Sequence, residues 1–112
     1  MEAHKGYLYD TNILIDAYKQ RKRLKGFTTA VNAVEFPAVV QMKGINIIYP
    51  QPKDYKLAAK AMAELLKNGT PVPATDLIIA AVAANRGLAL VTRDDHFKRI
   101  ADVIPLNMKE VP

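Results

Sequence analysis

Four acidic residues stand out for where they fall in the chain. Asp10 directly follows the β-prone run Tyr7-Leu8-Tyr9, and Asp94 lies just beyond Leu88-Ala89-Leu90-Val91-Thr92. Glu35 is embedded in Ala33-Val34-Glu35-Phe36-Pro37, and Asp76 directly precedes Leu77-Ile78-Ile79-Ala80-Ala81. Carboxylates among so many apolar neighbours are expected to be partly buried, which is unfavourable unless cations or hydrogen bonds compensate. Each also has a local explanation. Asn32 and Glu35 have the spacing of a capping box, Asp76 reads as a plain N-cap, Asp10 as the start of an Asx-turn, and Asp94 or Asp95 as the cap of a short helix at Phe97. Four caps, however, need not face a common cleft. If the four converge, neighbouring carboxylates ~4 Å apart repel by ~1 to 4 kcal/mol per pair, and bound cations are what keep them ionised. Oxygen ligands without cysteine select hard ions, so one or two Mg²⁺ or Mn²⁺ ions are expected rather than zinc. Two such ions ~4 Å apart can activate a water and stabilise both the attacking and the leaving oxygens of a phosphodiester.

A second cluster carries the opposite charge. Lys19, Arg21, Lys22, Arg23 and Lys25 are five cations within seven residues. The whole chain has 16 Lys plus Arg against 11 Asp plus Glu, so without these five the balance is 11 against 11. One basic patch on an otherwise neutral chain suits a polyanion such as nucleic acid, bound through release of counterions, and would hold the strand being cut. The plainer reading is a solvated helix end whose cations complement the helix dipole.

The elements that must position these groups fit one domain spanning residues 1–112, with half of the residues apolar. A chain of this size buries roughly two-thirds of its unfolded surface, enough for a core without staples. The absence of cysteine excludes a disulfide framework, a thiolate zinc site, an iron–sulfur cluster and a cysteine nucleophile. The apolar stretch Leu77 to Ala84 is far below the ~20 residues of a membrane span. The amino terminus shows no apolar signal region or small-residue cleavage site, so a cytoplasmic protein is expected.

Along the chain, strands are predicted over 7–9, 27–31, 45–49, 88–92 and 103–106. Helices are predicted over 12–22, from Asn32, over 53–68 and 76–85, and around 95–101. The third of these is the clearest. Leu57, Ala58, Ala61, Met62, Leu65 and Leu66 form its apolar stripe, and Gly69 is placed to end it. Residues 76–85 are apolar on all sides, as a helix buried on most sides should be. Strands separated by helices argue for an α/β sandwich with a mostly parallel sheet, whose ligands bind beyond the carboxyl ends of the strands. Asp10 and Asp94 lie where that rule points.

Four segments, in order, then resemble a known family: Tyr9-Asp10-Thr11-Asn12-Ile13-Leu14-Ile15-Asp16, Thr28-Thr29-Ala30-Val31-Asn32-Ala33-Val34-Glu35, Thr75-Asp76-Leu77-Ile78-Ile79-Ala80-Ala81-Val82-Ala83 and Leu90-Val91-Thr92-Arg93-Asp94-Asp95-His96-Phe97. Together they are similar to the PIN-domain nucleases, and within them to the small toxins of VapBC-type toxin–antitoxin modules. The resemblance implies a three-layer sandwich with a five-stranded sheet in the order 3-2-1-4-5. It implies a catalytic quartet of Asp10, Glu35, Asp76 and Asp94 that binds Mg²⁺ or Mn²⁺ and hydrolyses RNA, an antitoxin protein as partner, and a homodimer. Thr11, Asn12 and Thr92 match supporting polar positions of that cleft, and Asp95 stands beside the expected ligand Asp94. The segment between Glu35 and Asp76 departs from the family by looking one helix short. In relatives that segment helps form the dimer and receive the antitoxin. Pro37 also removes a backbone donor just after Glu35.

His96 reads as a surface or capping residue, because a metal-activated hydroxide needs no imidazole base. His4 receives no role. Tyr7, Tyr9, Tyr18, Tyr49 and Tyr55 could stack on bases but are read as core or rim residues. The rival to a nuclease is a PIN-like nucleic-acid-binding or scaffold protein without activity. A phosphatase ranks last, since Asp10-Thr11-Asn12 lacks the second aspartate that the common aspartyl-phosphate type would carry two residues on.

Overall fold

Five short strands pair side by side in the computed structural model, which describes residues 5–111. They are β1 (Tyr7–Tyr9), β2 (Gly26–Thr29), β3 (Ile45–Ile48), β4 (Ala89–Thr92) and β5 (Asn107–Glu110). The order is β3-β2-β1-β4-β5, and every neighbouring pair is parallel. The chain leaves β1 toward β2 and β3, then returns on the other side to β4 and β5. Strand order therefore reverses between β1 and β4, which opens a crevice at their carboxyl ends.

Alternation along the strands sends Leu8 and Leu90 to one face and Tyr9 and Val91 to the other. Against the first face, α3 (Pro52–Lys67), α4 (Ala74–Arg86) and α5 (His96–Ala101) bury Leu65, Leu77, Ile79, Phe97 and Ile100. Each such side chain contributes about 1.5–3 kcal/mol of transfer free energy. Against the second face, α1 (Thr11–Lys19) and the 3-10 turn Pro37–Gln41 bury Leu14 and Val39. The short α2 (Ala30–Glu35) completes the three-layer sandwich. Between Glu35 and Asp76 lie the 3-10 turn, β3 and α3. Among the described residues, no helix is long and apolar enough to cross a membrane.

Several boundaries differ from the expected ones, each for a local reason. The first helix ends at Lys19 rather than Lys22, because Arg21 takes a left-handed φ of 54°. The Arg21 N–H then bonds Tyr18 O at 3.2 Å and the Lys22 N–H bonds Ala17 O at 2.8 Å, a Schellman turn without its usual glycine. Helix α2 begins at Ala30, capped by Thr29. Asn32 sits in its first turn and reciprocates the cap, so the pairing of Asn32 with Glu35 does not form. Pro37 ends α2 at Glu35 and opens the 3-10 turn, consistent with the steric exclusion of helix before proline.

The last strand is Asn107–Glu110 and not 103–106. The Val103 and Ile104 N–H groups instead close the end of α5 on Ile100 O, and Ile104 is buried. The polar segment after it forms the edge, where charges such as Lys109 and Glu110 discourage further pairing.

Helices α3 and α4 are joined by a group that the sequence pattern did not reveal. The Asp54 side chain is fully buried. It accepts two bonds from the Arg86 guanidinium at 2.9 and 3.0 Å, one from Asn85 Nδ2 at 2.8 Å and one from the Gln51 N–H at 2.8 Å. Burial pushes its carboxyl up, but the bonds from Arg86, Asn85 and Gln51 together hold it below the ordinary value.

Candidate metal centre

The carboxylate of Asp10 lies at the end of β1, at the crevice. Its backbone N–H is tied to Val91 O at 3.0 Å, so the neighbouring strand fixes where it emerges. The side chain is buried and surrounded by donors. Thr92 Oγ1 donates to Oδ2 at 2.7 Å, the Thr11 N–H to Oδ1 at 2.9 Å, and Asn12 Nδ2 and Asn32 Nδ2 approach at 3.4 Å. Burial pushes its pKa up, the bonds from Thr92 and Thr11 pull it back, and the charges of Asp94 and Glu35 push it up further.

Two threonines tie Asp10 to the other acids. Thr92 Oγ1, besides donating to Asp10, accepts the Asp94 N–H at 2.9 Å, so one hydroxyl spaces the two acids of β1 and β4. Thr11 Oγ1 donates to Glu35 Oε1 at 2.8 Å and accepts from Asn32 Nδ2 at 3.0 Å. Glu35 itself is exposed. Asn32 is fully buried, and its amide links Thr29, Thr11 and Asp10. Sequence reasoning read Asn32 only as a helix cap; its place beside the acids depends on a long-range packing of α2 that no local pattern encodes.

Asp76 sits in the first turn of α4, which starts two residues earlier at Ala74 and has no side-chain cap. It is therefore not the cap that its position suggested. Burial and the charges of Asp94 and Asp10 raise its pKa, against an opposing bond from His96, to about 6. His96 departs from expectation. Its Nδ1 lies 3.3 Å from Asp76 Oδ2 and 3.2 Å from Asp94 Oδ1, and donor atoms of these three residues fall within 4.8 Å of one another. Asp94 also accepts the His96 N–H at 3.0 Å. Local capping and convergence on the crevice thus coexist in Asp94, as they do in Asp10 with Thr11.

Asp95 is not drawn into this group: its side chain is 81% exposed and pairs with Lys98 at 3.5 Å. Successive residues diverge, and only Asp94 turns inward. The five cations are exposed around the carboxyl end of α1, the end opposite Asp10. Nine helical residues separate the two by roughly 13 Å. Tyr7 and Tyr9 line a groove beside α1 together with Asp16, Lys22, Arg93 and Lys109, and Asp10, Glu35, Asp76 and Asp94 are not part of that lining. Tyr18 packs edge-on against Phe36, and Tyr49 and Tyr55 are exposed.

Among the described residues, no Lys or Arg pairs with Asp10, Glu35, Asp76 or Asp94. Arg93 is turned to Asp16, Lys98 to Asp95 and Glu110, and Arg86 to Asp54. An anionic crevice with no Lys or Arg counter-ion among the described residues, in which Asn12 Oδ1 is buried without a hydrogen-bond partner, fits a divalent cation with its waters. The cost of leaving Asp76 ionised is measurable. Its folded-state pKa of about 6 lies above the unfolded value of 3.8, so ion-free protein is most stable with Asp76 protonated. Stability should fall by about 3 kcal/mol as pH rises from below ~4 to above ~6. Urea unfolding should show that limb flattened in Asp76→Asn, and a wild type whose pH profile matches the variant's would refute the assignment.

A PIN domain family model matches residues 32–103. No curated protein sequence matches the chain. Among solved structures, the chain is similar to one from DNA-bound VapBC of Salmonella typhimurium, with 21% identity over 94% of this chain and 97% of that one and a TM-score of 0.79. It is also similar to one from VapBC2 of Rickettsia felis bound to a promoter DNA fragment, at 19% identity over 94% and 98%, TM-score 0.77. A third similar chain comes from VapBC-5 of Mycobacterium tuberculosis, at 21% identity over 95% and 98%, TM-score 0.76. At these identities the likeness is one of fold.

Proposed function

The chain belongs to the PIN-domain family, and from that premise we propose that it is a Mg²⁺- or Mn²⁺-dependent endoribonuclease, the toxin of a toxin–antitoxin pair acting in the cytoplasm. The observation that carries this reading is the gathering of Asp10, Asp76 and Asp94 at the point where strand order reverses, with Glu35 joined through Thr11 and, among the described residues, no Lys or Arg to neutralise them. Asp10, Glu35, Asp76 and Asp94 hold the ion or ions. When bound, a divalent ion there supplies Lewis acidity toward a phosphodiester and lowers the pKa of a water. The protein's own part is positional. Thr92 fixes the spacing of Asp10 and Asp94, Asn32 and Thr11 aim Glu35, and Asn12 holds a buried, unpartnered acceptor for a water.

The VapBC chains of similar fold support an antitoxin as partner, and a second copy as dimer mate rests on the family resemblance alone. Val40, Tyr49, Tyr55 and Leu66 are large apolar side chains exposed between Glu35 and Asp76, the segment for which the resemblance implies such contacts. Lys19, Arg21, Lys22, Arg23 and Lys25 are assigned to RNA phosphates. A strand held there and cut at the acids runs the length of α1.

That separation also favours a second reading, in which the protein binds nucleic acid without cutting it. Purified protein incubated with RNA separates the two. Cleavage that requires Mg²⁺ or Mn²⁺ and stops on chelation is the expected result. Salt-sensitive RNA binding with no cleavage and no Mn²⁺ uptake by calorimetry would establish the binding module instead.

A further inference from the structure

His96 has no role in the reading above, yet its ring nitrogen faces two of the acids. Resting on that reading, we propose that His96 Nδ1 is itself a metal ligand. The centre then becomes a mixed nitrogen–oxygen site that takes Mn²⁺, and still more strongly Zn²⁺ or Ni²⁺, in preference to Mg²⁺.

The geometry comes first. Nδ1 lies 3.3 Å from Asp76 Oδ2 and 3.2 Å from Asp94 Oδ1. Bonds of about 2.0–2.2 Å to a first-row divalent ion put adjacent donors about 3.0–3.4 Å apart, so both separations match edges of such a coordination shell. The ring is also held in place. Phe97 and Ile100, both fully buried, anchor α5, and the His96 N–H is bonded to Asp94. The side chain is 44% exposed, which leaves the ring open to arriving ions and water.

The chemistry follows from donor type. Imidazole is a borderline ligand suited to later first-row ions, whereas Mg²⁺ favours oxygen and gives up its waters reluctantly. A neutral imidazole adds a donor without adding to the negative charge that Asp10, Glu35, Asp76 and Asp94 already bring to the ion. Oxygen donors alone select hard ions over zinc, and the nitrogen of His96 changes that donor set. The competing arrangement is an imidazolium that merely neutralises Asp76 and Asp94, and in that case His96 would oppose metal uptake.

The test is pulsed electron paramagnetic resonance on Mn²⁺-loaded protein, with calorimetric titration of Mn²⁺ and Mg²⁺. A ¹⁴N coupling from a directly bound nitrogen is expected in the wild type and should vanish in His96→Gln. The ratio of Mn²⁺ to Mg²⁺ affinity should fall about 10-fold in that variant and further in His96→Asp, which restores an oxygen donor. Bound Mn²⁺ without ¹⁴N coupling, or a ratio unchanged in both variants, overturns the inference. So does tighter Mn²⁺ binding by His96→Gln, the signature of a displaced imidazolium. If that protein still cleaves RNA with its metal, the nuclease reading stands while this inference fails. A folded wild type that binds no Mn²⁺ at all defeats both.

Discussion

Asp10→Asn is expected to lower metal-dependent RNA cleavage by about 10²–10³-fold, the scale of losing one preorganised charged group at a reacting centre, while leaving the protein folded. The second half of that expectation is what makes the first informative. Asparagine keeps an oxygen for the Thr11 N–H and Asn32 Nδ2, while its new N–H₂ faces Thr92 Oγ1 and Asn12 Nδ2. The threonine hydroxyl can turn to accept. The Asn12 amide can flip, because its Oδ1 has no partner to lose. Loss of the charge also removes the repulsion from Asp94 and Glu35 and the penalty of burial. Melting temperature should therefore hold or rise as cleavage disappears. Cleavage by Asp10→Asn at the parental rate would remove Asp10 from the reaction, and a collapse of the fold would show its role to be structural.

The largest loss of stability is expected from breaking the fork between α3 and α4. Arg86→Met should cost about 3–5 kcal/mol at neutral pH, a large share of the 5–15 kcal/mol that holds a domain together. The reason is the residue left behind. Without Arg86, the fully buried Asp54 carboxylate retains only Asn85 and the Gln51 N–H. In the wild type its depressed pKa contributes stability above the ordinary carboxylate pKa and loses it as pH falls through the folded value. In Arg86→Met, burial dominates and the sign reverses, so the deficit should shrink on acidification. Replacing both partners by apolar residues should recover much of the loss. Urea unfolding of the single and double variants at two pH values tests all three statements; a single variant within 1 kcal/mol of the parent would refute them.

Much of this architecture was legible in the chain because local and global preferences agree. The stripe from Leu57 to Leu66 and the all-round apolar character of residues 76–85 predicted α3 and α4. Gly69 and Gly87 both take positive φ where those helices stop. What escaped notice were pairings across the fold. Asp54 looks like one more polar residue in a first turn until α4 brings Arg86 against it. Asn32 and His96 each satisfy a helix-end pattern, and their second partners come from the start of α1 and from α4. The last strand was misplaced because Val103-Ile104 is apolar enough for a strand but is needed under the end of α5. The basic run was legible as charge and not as location, since only the direction of α1 decides which edge of the sheet receives it.

That direction gives the molecule an electrical polarity. Bare carboxylates gather at one extremity of α1 and lysines and arginines at the other, so a polyanion arriving through solution is turned cation-first before it touches anything. In the nuclease proposed above, the opposite pole repels it in metal-poor solution, and divalent ions offset that charge. On that proposal, admission to the crevice depends on ion supply before any bond is broken.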